Sequence, residues 1–109
     1  TLKFEALRIL PSQVERLERE IDLLNADLAP LTSFLLPAGN PLTTSLHLSR
    51  TICRRAERLI AKLMHEEPGA VSAVALQYAN RLSDLFFVAA RWANGKGKDD
   101  VLWVPGKNR

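Results

Sequence analysis

The chain has 109 residues, which is enough for one domain with a real core but leaves little surplus stability. Its composition, 47% hydrophobic and 25% charged, is typical of a globular protein, and a formal net charge of only +3 argues against nucleic-acid binding. No apolar run approaches the roughly 18 residues of a membrane span, and no signal peptide is visible. The single cysteine, Cys53, excludes an internal disulfide and suits a reducing compartment such as the cytoplasm.

The first predicted element is an amphipathic helix over about residues 12–29. Ser12 is expected to cap it, with Glu15 three residues later as the capping-box partner. Apolar residues recur at alternating steps of three and four, as on a helix that packs in a bundle. They are Val14, Leu17, Ile21, Leu24 and Leu28.

Prolines and a glycine then prevent any continuous helix between residues 30 and 42. This connection is unusually apolar and carries Phe34 near its centre. Such a loop either folds back over the core or lines a ligand pocket, and the residue pattern alone leaves both interpretations open.

Two longer helices are predicted over about residues 44–66 and 71–94. On the earlier of the two, one arc is apolar and is expected to pack; it contains Ile52, Cys53, Ala56, Leu59, Ile60, Leu63 and Met64. Cys53 is interpreted as a small buried hydrophobic residue, and His47, on the opposite arc, as a polar helix residue. The polar arc of the later helix contains Asn80, Asp84 and Arg91. An amide and a carboxylate one turn apart could bind a ribose or orient an arginine. The alternative is that they make ordinary polar contacts within the bundle.

The tail, residues 95–109, is rich in glycine, proline and basic residues and is predicted to be mobile. Because no segment alternates convincingly as a strand, the predicted class is all-α. We expect a single domain over residues 1–109, built as an up-and-down helical bundle.

Four arginines fall within nine residues of the predicted second helix: Arg50, Arg54, Arg55 and Arg58. The spacing of Arg50, Arg54 and Arg58 crowds three like charges on one side, where each pair repels by a few tenths of a kcal/mol. Arginine binds phosphate oxygens bidentately and keeps its charge, so the cluster predicts a phosphate-bearing ligand. The alternative is an exposed basic face that pairs with acidic residues of neighbouring helices.

Three separated blocks of the sequence resemble the PduO-type ATP:cob(I)alamin adenosyltransferases. The resemblance covers about residues 12–94. The blocks are Phe34-Leu35-Leu36-Pro37-Ala38-Gly39, then Ser45-Leu46-His47 with Arg50-Thr51-Ile52-Cys53-Arg54-Arg55-Ala56-Glu57-Arg58, and Asn80-Arg81-Leu82-Ser83-Asp84-Leu85-Phe86-Phe87 with Ala90-Arg91.

The resemblance implies a five-helix, ferritin-like bundle that forms a homotrimer with active sites between subunits. It places Arg50 and Arg54 in catalysis, with Arg50 in a salt bridge to an acidic residue of the neighbouring subunit. It places Phe34 against the lower face of cobalamin and Phe87 in the wall of the same pocket. The implied ATP-binding residues are Arg54, Arg55, Glu57, Arg58 and Asn80.

The implied reaction needs ATP, Mg²⁺ and reduced cobalamin, and a flavin or corrinoid reductase is the kind of partner it implies. Co(I) is itself a strong nucleophile, so the protein supplies position and charge stabilisation rather than a nucleophile. The chain shows no metal-ligand set of its own. The family's N-terminal phosphate-binding segment is missing from this chain, which we therefore expect to be truncated or partly unobserved.

Two other interpretations of the residues stay open. One is a non-enzymatic helical module that docks an acidic partner through its arginine face. The other, which is weaker, is an RNA-binding helical module. The net charge is low for such a function, and the seven aromatic residues lie mostly on apolar arcs rather than between the arginines.

Overall fold

A computed structural model describes residues 8–31, 35–102 and 104 of the chain. These residues form three helices: α1 (Pro11–Asn25), α2 (Pro41–Glu66) and α3 (Ala73–Ala93). Within the described ranges, an isolated antiparallel bridge between Leu35 and Leu102 is the one β feature. The all-α prediction is confirmed.

The start of α1 differs from the prediction. Pro11, not Ser12, occupies the first helical position, where a residue that lacks an N–H loses no hydrogen bond. The N–H of Leu10 donates to Oε1 of Gln13 at 2.8 Å, so Gln13 takes the place expected for Glu15. The helix also ends at Asn25 rather than near residue 29, because the following residues tighten into a turn in which the N–H of Leu28 donates to the carbonyl of Asn25.

The longer helices begin at side-chain caps. Oδ1 of Asn40 accepts from the N–H of Thr43 at 2.8 Å, and Pro41 follows at the first helical position, so α2 begins before the predicted residue 44. The hydroxyl of Ser72 accepts from the N–H of Ala75 at 3.3 Å and starts α3. Both caps satisfy backbone donors that the first turn of a helix leaves unpaired.

The central helix is α3, which packs against α1 on one side and α2 on the other, whereas α1 and α2 do not approach each other closely. The hydroxyl of Thr43 near the start of α2 donates to the carbonyl of Ala90 near the end of α3, so these helices are antiparallel. Arg91 near the end of α3 contacts Ala29 just after α1, and Arg81 contacts Glu18 midway along both helices, so α1 is parallel to α3. The three helices therefore run up, down and up in chain order. The buried apolar residues are Val14, Leu17, Cys53, Ala79, Val88 and Ala90.

The predicted packing face of α2 is wrong in part. Thr43, His47 and Cys53 are the buried residues of α2, while Ile52 remains 61% and Leu59 57% exposed. The reason is that α2 has one helical neighbour among the described residues, so only one of its sides can be covered. We call the uncovered set the apolar stripe of α2: Leu48, Ile52, Leu59 and Leu63.

The beginning of the tail is anchored to the bundle. Nε of Arg91 donates to Oδ2 of Asp100 at 2.7 Å, and the N–H of Leu36 donates to the carbonyl of Val101 at 2.7 Å. Nδ2 of Asn94 also donates to the carbonyl of Asp99 at 2.6 Å. These contacts join residues 99–101 to the end of α3 and to the loop before α2, while the mobility predicted for the tail stays a prediction.

Candidate functional site

The arginine cluster of α2 lies mainly in solvent. Arg54, Arg55 and Arg58 are exposed, whereas Arg50 is half-buried. Among the described residues, no carboxylate forms a salt bridge with any of the four. The structure therefore does not support the pairing of these arginines with acidic residues of the described helices, and it leaves their donors available.

Arg50 connects the cluster to a predicted pocket wall. Its guanidinium carbon lies 5.0 Å from the ring centroid of Phe87, within the range of a cation–π interaction. The half-buried Phe87 is thus next to the arginine face of α2. An acidic partner for Arg50 is absent from the described residues, and that expected salt bridge stays a prediction.

Two of the predicted ATP-binding residues meet across the α2–α3 contact. Nδ2 of Asn80 donates to Oε1 of Glu57 at 3.1 Å, and both side chains are half-buried. Nη1 of Arg81 donates to Oδ1 of Asn80 at 2.5 Å, while its Nε lies 3.8 Å from Oε2 of Glu18 on α1. A polar chain of four residues therefore crosses all three helices.

Sequence reasoning missed the part that Arg81 and Glu18 play in this chain. Arg81 stands beside Asn80 in the motif, but neighbouring residues on a helix point about 100° apart, so adjacency predicts no contact. The signal available in the sequence was weak, because charges at these positions are ordinary on a solvated helix face.

Arg91 and Asp84 do not join this group as the polar arc suggested. Arg91 is only 6% exposed, and its guanidinium is occupied by Asp100 and by the carbonyl of Ala29 at 2.8 Å. Asp84 is exposed. A guanidinium that is buried and bound to two groups of its own chain is poorly placed to meet a substrate, so Arg91 supports the fold.

His47 is buried rather than solvated, which corrects its interpretation as an ordinary polar helix residue. It is only 6% exposed, and its Nε2 has no hydrogen-bond partner. Burial lowers the pKa of His47, Arg50 lowers it further, and Asp100 acts in the opposite direction. Desolvation and a nearby cation both disfavour the protonated form of the imidazole.

Cys53 is buried, as predicted. Its Sγ lies 3.2 Å from the carbonyl of Ala79, and burial, followed by the charge of Glu57, raises the pKa of the thiol. A thiol whose pKa is raised is a poor nucleophile at neutral pH. Cys53 is therefore a packing residue of the α2–α3 contact.

Two apolar grooves lie away from the predicted site residues. A groove of about 580 Å³ is lined by residues of all three helices, among them Leu24, Leu46 and Trp92. Another, of about 360 Å³, is lined by residues that include Ile52, Cys53 and Phe86. The first groove is lined by a single cation, Lys96, whose ammonium lies over the Trp92 ring, and the second by none. The arginine face carries four cations, so we place the candidate site there.

Phe34 lies outside the described residues, and its predicted role stays a prediction. Within the described ranges, no group of three or more His, Cys, Asp or Glu side chains is placed to hold a metal ion. In the same part of the chain, none of the helices has the length and apolar character required to cross a membrane.

Comparison with known proteins gives a consistent result. The model of the family described as cobalamin adenosyltransferase matches residues 2–93. The corrinoid adenosyltransferase of Mycobacterium tuberculosis is 48% identical over 107 residues, covering 98% of this chain and 54% of that protein. The human corrinoid adenosyltransferase is 39% identical over 104 residues, covering 94% of this chain and 40% of that protein. The chain thus spans about half the length of the curated relatives it matches.

Solved structures agree with the sequence relatives. A variant PduO-type ATP:corrinoid adenosyltransferase from Lactobacillus reuteri, complexed with cobalamin and ATP, superposes with a TM-score of 0.82 at 37% identity. That match covers 93% of this chain and 54% of the other. Another variant of the same enzyme, complexed with ATP, gives a TM-score of 0.80. The chain therefore belongs to the cobalamin adenosyltransferase family.

Proposed function

We propose that the protein transfers the 5′-deoxyadenosyl group of ATP to the cobalt of cob(I)alamin, which yields adenosylcobalamin and tripolyphosphate. The observation that carries this proposal is the exposed, unpaired state of Arg54, Arg55 and Arg58 among the described residues, beside the contact between Glu57 and Asn80. Family membership supports the same reaction, because relatives carry the name of this activity.

The arginines fit the charge that develops in the reaction. Co(I) forms the bond to C5′ with its own electron pair, and the C5′–O bond breaks with its pair passing to the triphosphate. The negative charge develops on the α-phosphate oxygen that had been bonded to C5′, and a fixed guanidinium stabilises that charge without reorganising. We assign this role to Arg54, together with Arg50, and triphosphate binding to Arg55 and Arg58.

The contact of Arg50 with Phe87 supports a shared site for both substrates. Arg50 stacks on Phe87, which we assign to the wall of the corrinoid pocket, and it lies one helical turn from Arg54. The two substrates would therefore meet near Arg50. Holding both reactants in this way removes much of the entropic part of the barrier.

Mg²⁺ is the expected counter-ion of ATP. The described residues bring together no group of three or more His, Cys, Asp or Glu side chains, and we assign the ion no protein ligand and derive no step through it. Substrate phosphates and water molecules, with one or two carboxylates, are its usual ligands at nucleotide sites.

A homotrimer with active sites between subunits is part of the same proposal. The apolar stripe of α2 supports an assembly, because contiguous exposed apolar residues on a helix are typical of a contact surface. Static light scattering of the protein in its natural length should give about three times the monomer mass. A reductase partner and a cytoplasmic location stay predictions.

The test of the reaction is direct. The protein in its natural length is incubated with ATP, Mg²⁺ and chemically reduced cobalamin, and the visible spectrum is followed for adenosylcobalamin. Chromatography of the phosphate products should show intact tripolyphosphate. A module that only docks an acidic partner would form neither product, and that result would refute the proposed function.

A further inference from the structure

The polar chain from Glu18 to Glu57 does more than connect helices. We propose that Arg81 is a positioning residue, which orients the Asn80 amide so that Glu57 is held away from Arg54. This inference rests on the proposed function, since it assigns Arg54 to the triphosphate. Arg81 is half-buried on the α1 side of α3 and does not itself belong to the arginine cluster.

The orientation of the amide follows from its two neighbours. A guanidinium can only donate hydrogen bonds, and an ionised carboxylate can only accept them. Arg81 therefore requires the oxygen of the Asn80 amide on its side, at 2.5 Å, and Glu57 requires the nitrogen on the other side, at 3.1 Å. Both contacts select the same one of the two amide orientations.

The position of Glu57 decides whether Arg54 is available. The two residues stand three apart on α2, and side chains at that spacing are neighbours that can form an ion pair. In the structure Oε1 of Glu57 accepts from Asn80 instead, and no salt bridge joins Glu57 to Arg54. The carboxylate is thereby kept from neutralising the arginine that the triphosphate needs.

Loss of Arg81 should weaken this arrangement. The Glu57 carboxylate still favours the same amide orientation, but without Arg81 the Asn80 amide is held on one side only, so its hydrogen bond to Glu57 is less firmly fixed. Glu57 would then rotate towards Arg54 and compete with ATP for its guanidinium. We expect weaker ATP binding with little change in the chemical step once ATP is saturating.

A purely structural role for Arg81 makes a different prediction. Arg81 also faces Glu18, at 3.8 Å, and this pair could simply tie α1 to α3. Glu18 is 49% exposed at its side chain, where ion pairs contribute little. Glu18→Gln removes the pair but keeps the contact between Arg81 and Asn80, so it is a matched control.

The experiment measures KM and kcat for ATP at saturating cob(I)alamin, and the Kd for MgATP by calorimetry, in the protein of natural length. Arg81→Met keeps most of the aliphatic stem of the side chain. It should raise KM and Kd for ATP about tenfold, which is the effect of one lost hydrogen bond to a charged group. The value of kcat should change less than about threefold. Arg81→Lys retains a donor and should recover most of the affinity. Glu18→Gln should change either constant less than about twofold.

A double variant tests whether Arg81 acts through Asn80. If it does, Arg81→Met combined with Asn80→Ala should bind ATP no worse than Asn80→Ala alone. The inference would be overturned if the double variant lost ATP affinity by the product of the two single losses. It would also be overturned if Arg81→Met and Glu18→Gln lost ATP affinity equally. If Arg81→Met fails to fold, as judged by circular dichroism, the same comparison is made with Arg81→Ala, which also removes the donor and favours the helix, and with its combination with Asn80→Ala.

Failure of the proposed function gives a separate result. A wild-type protein that binds MgATP but forms no adenosylcobalamin would refute adenosyl transfer, while the calorimetric comparison of the variants would still decide the role of Arg81. A wild-type protein that binds no MgATP would overturn both.

Discussion

The arginines of α2 and the arginine near the end of α3 make opposite use of the same side chain. Arg91 is 6% exposed and donates to a carboxylate and a backbone carbonyl. Arg54 and Arg58 are exposed and have no carboxylate partner among the described residues. An arginine whose donors are satisfied inside the protein supports the fold, and one whose donors face solvent is available to a ligand.

The surroundings of Arg91 show how much the fold depends on it. Its guanidinium contacts Asp100 of the tail and the carbonyl of Ala29, which follows α1, so a single side chain joins three segments of the chain. Gly97 has a φ of 91°, and a Cβ there would come within 3.1 Å of Nη2 of Arg91. Both backbone conformation and space therefore favour glycine where the tail passes this arginine.

The largest expected effect is on this buried pair. Arg91→Ala leaves Asp100 as a buried, uncompensated charge, and we expect a loss of about 3–5 kcal/mol in the free energy of unfolding. Urea denaturation followed by circular dichroism measures it. A loss below about 1 kcal/mol would show that the pair does not support the fold.

Arg54→Ala should do the reverse. Losing one charge-assisted contact to phosphate removes about 1.5–3 kcal/mol of interaction, which lowers kcat/KM for ATP by about 10- to 150-fold. The free energy of unfolding should stay within about 0.5 kcal/mol of wild type, because the side chain is exposed. Both quantities are measured on the same preparation, and unchanged turnover in a folded variant would remove Arg54 from the site.

A smaller effect concerns pH and His47. Burial lowers the pKa of this imidazole in the folded state, and the charge of Arg50 lowers it further against the opposing charge of Asp100. The unfolded chain therefore takes up a proton near its ordinary pKa of about 6.5 while the folded protein resists it. The contribution of His47 to the free energy of unfolding therefore has its full value above about pH 6.5 and decreases as the pH falls below that value.

Urea denaturation between pH 7.5 and 5 tests this direction. The decline towards acid pH should be shallower in His47→Gln than in wild type, and the difference should be smaller than the loss in Arg91→Ala. His65 is exposed on the same helix, so His65→Gln is the matched control and should follow the wild-type profile. Parallel profiles for wild type and His47→Gln would contradict the assignment.

The smallest effect is expected for an exposed ion pair. Nε of Arg16 lies 3.2 Å from Oε1 of Glu20 on α1, and the two side chains are 76% and 41% exposed. Arg16→Ala should change the free energy of unfolding by less than about 0.5 kcal/mol and leave ATP use unaltered. Measured beside Arg91→Ala and Arg54→Ala, it shows what an arginine contributes when it has neither a buried partner nor a ligand. A loss above about 1 kcal/mol would contradict this assignment.

Local signals in the sequence predicted each helix to within a few residues. Periodicity located all three, and the limits that differ depend on short-range chemistry: the Asn40 cap moves the start of α2 forward, and a tight turn ends α1 early. The buried state of Cys53 also followed from its apolar arc. These features depend on residues within a few positions of each other, and a single sequence contains that information.

The candidate site was predicted through motifs rather than through geometry. The resemblance named Glu57 and Asn80, and the structure places them in contact across two helices. No pattern predicted that Arg81 would orient Asn80 or that His47 would be buried. Each of these depends on the rotation of a helix about its own axis, and that rotation is set by the neighbouring helix.

The sequence by itself therefore determined the helical class, the positions of the helices, the arginine cluster and the family. The tertiary structure decided which arginines are occupied and which are available. Arg91 and Arg54 both lie on arcs that the sequence pattern predicted to be polar. Arg91 differs from Arg54 because its guanidinium has a carboxylate partner, Asp100, which lies nine residues further along the chain in the tail. Salt bridges form between groups that folding brings together, so their partners follow from packing and not from the order of residues along the chain.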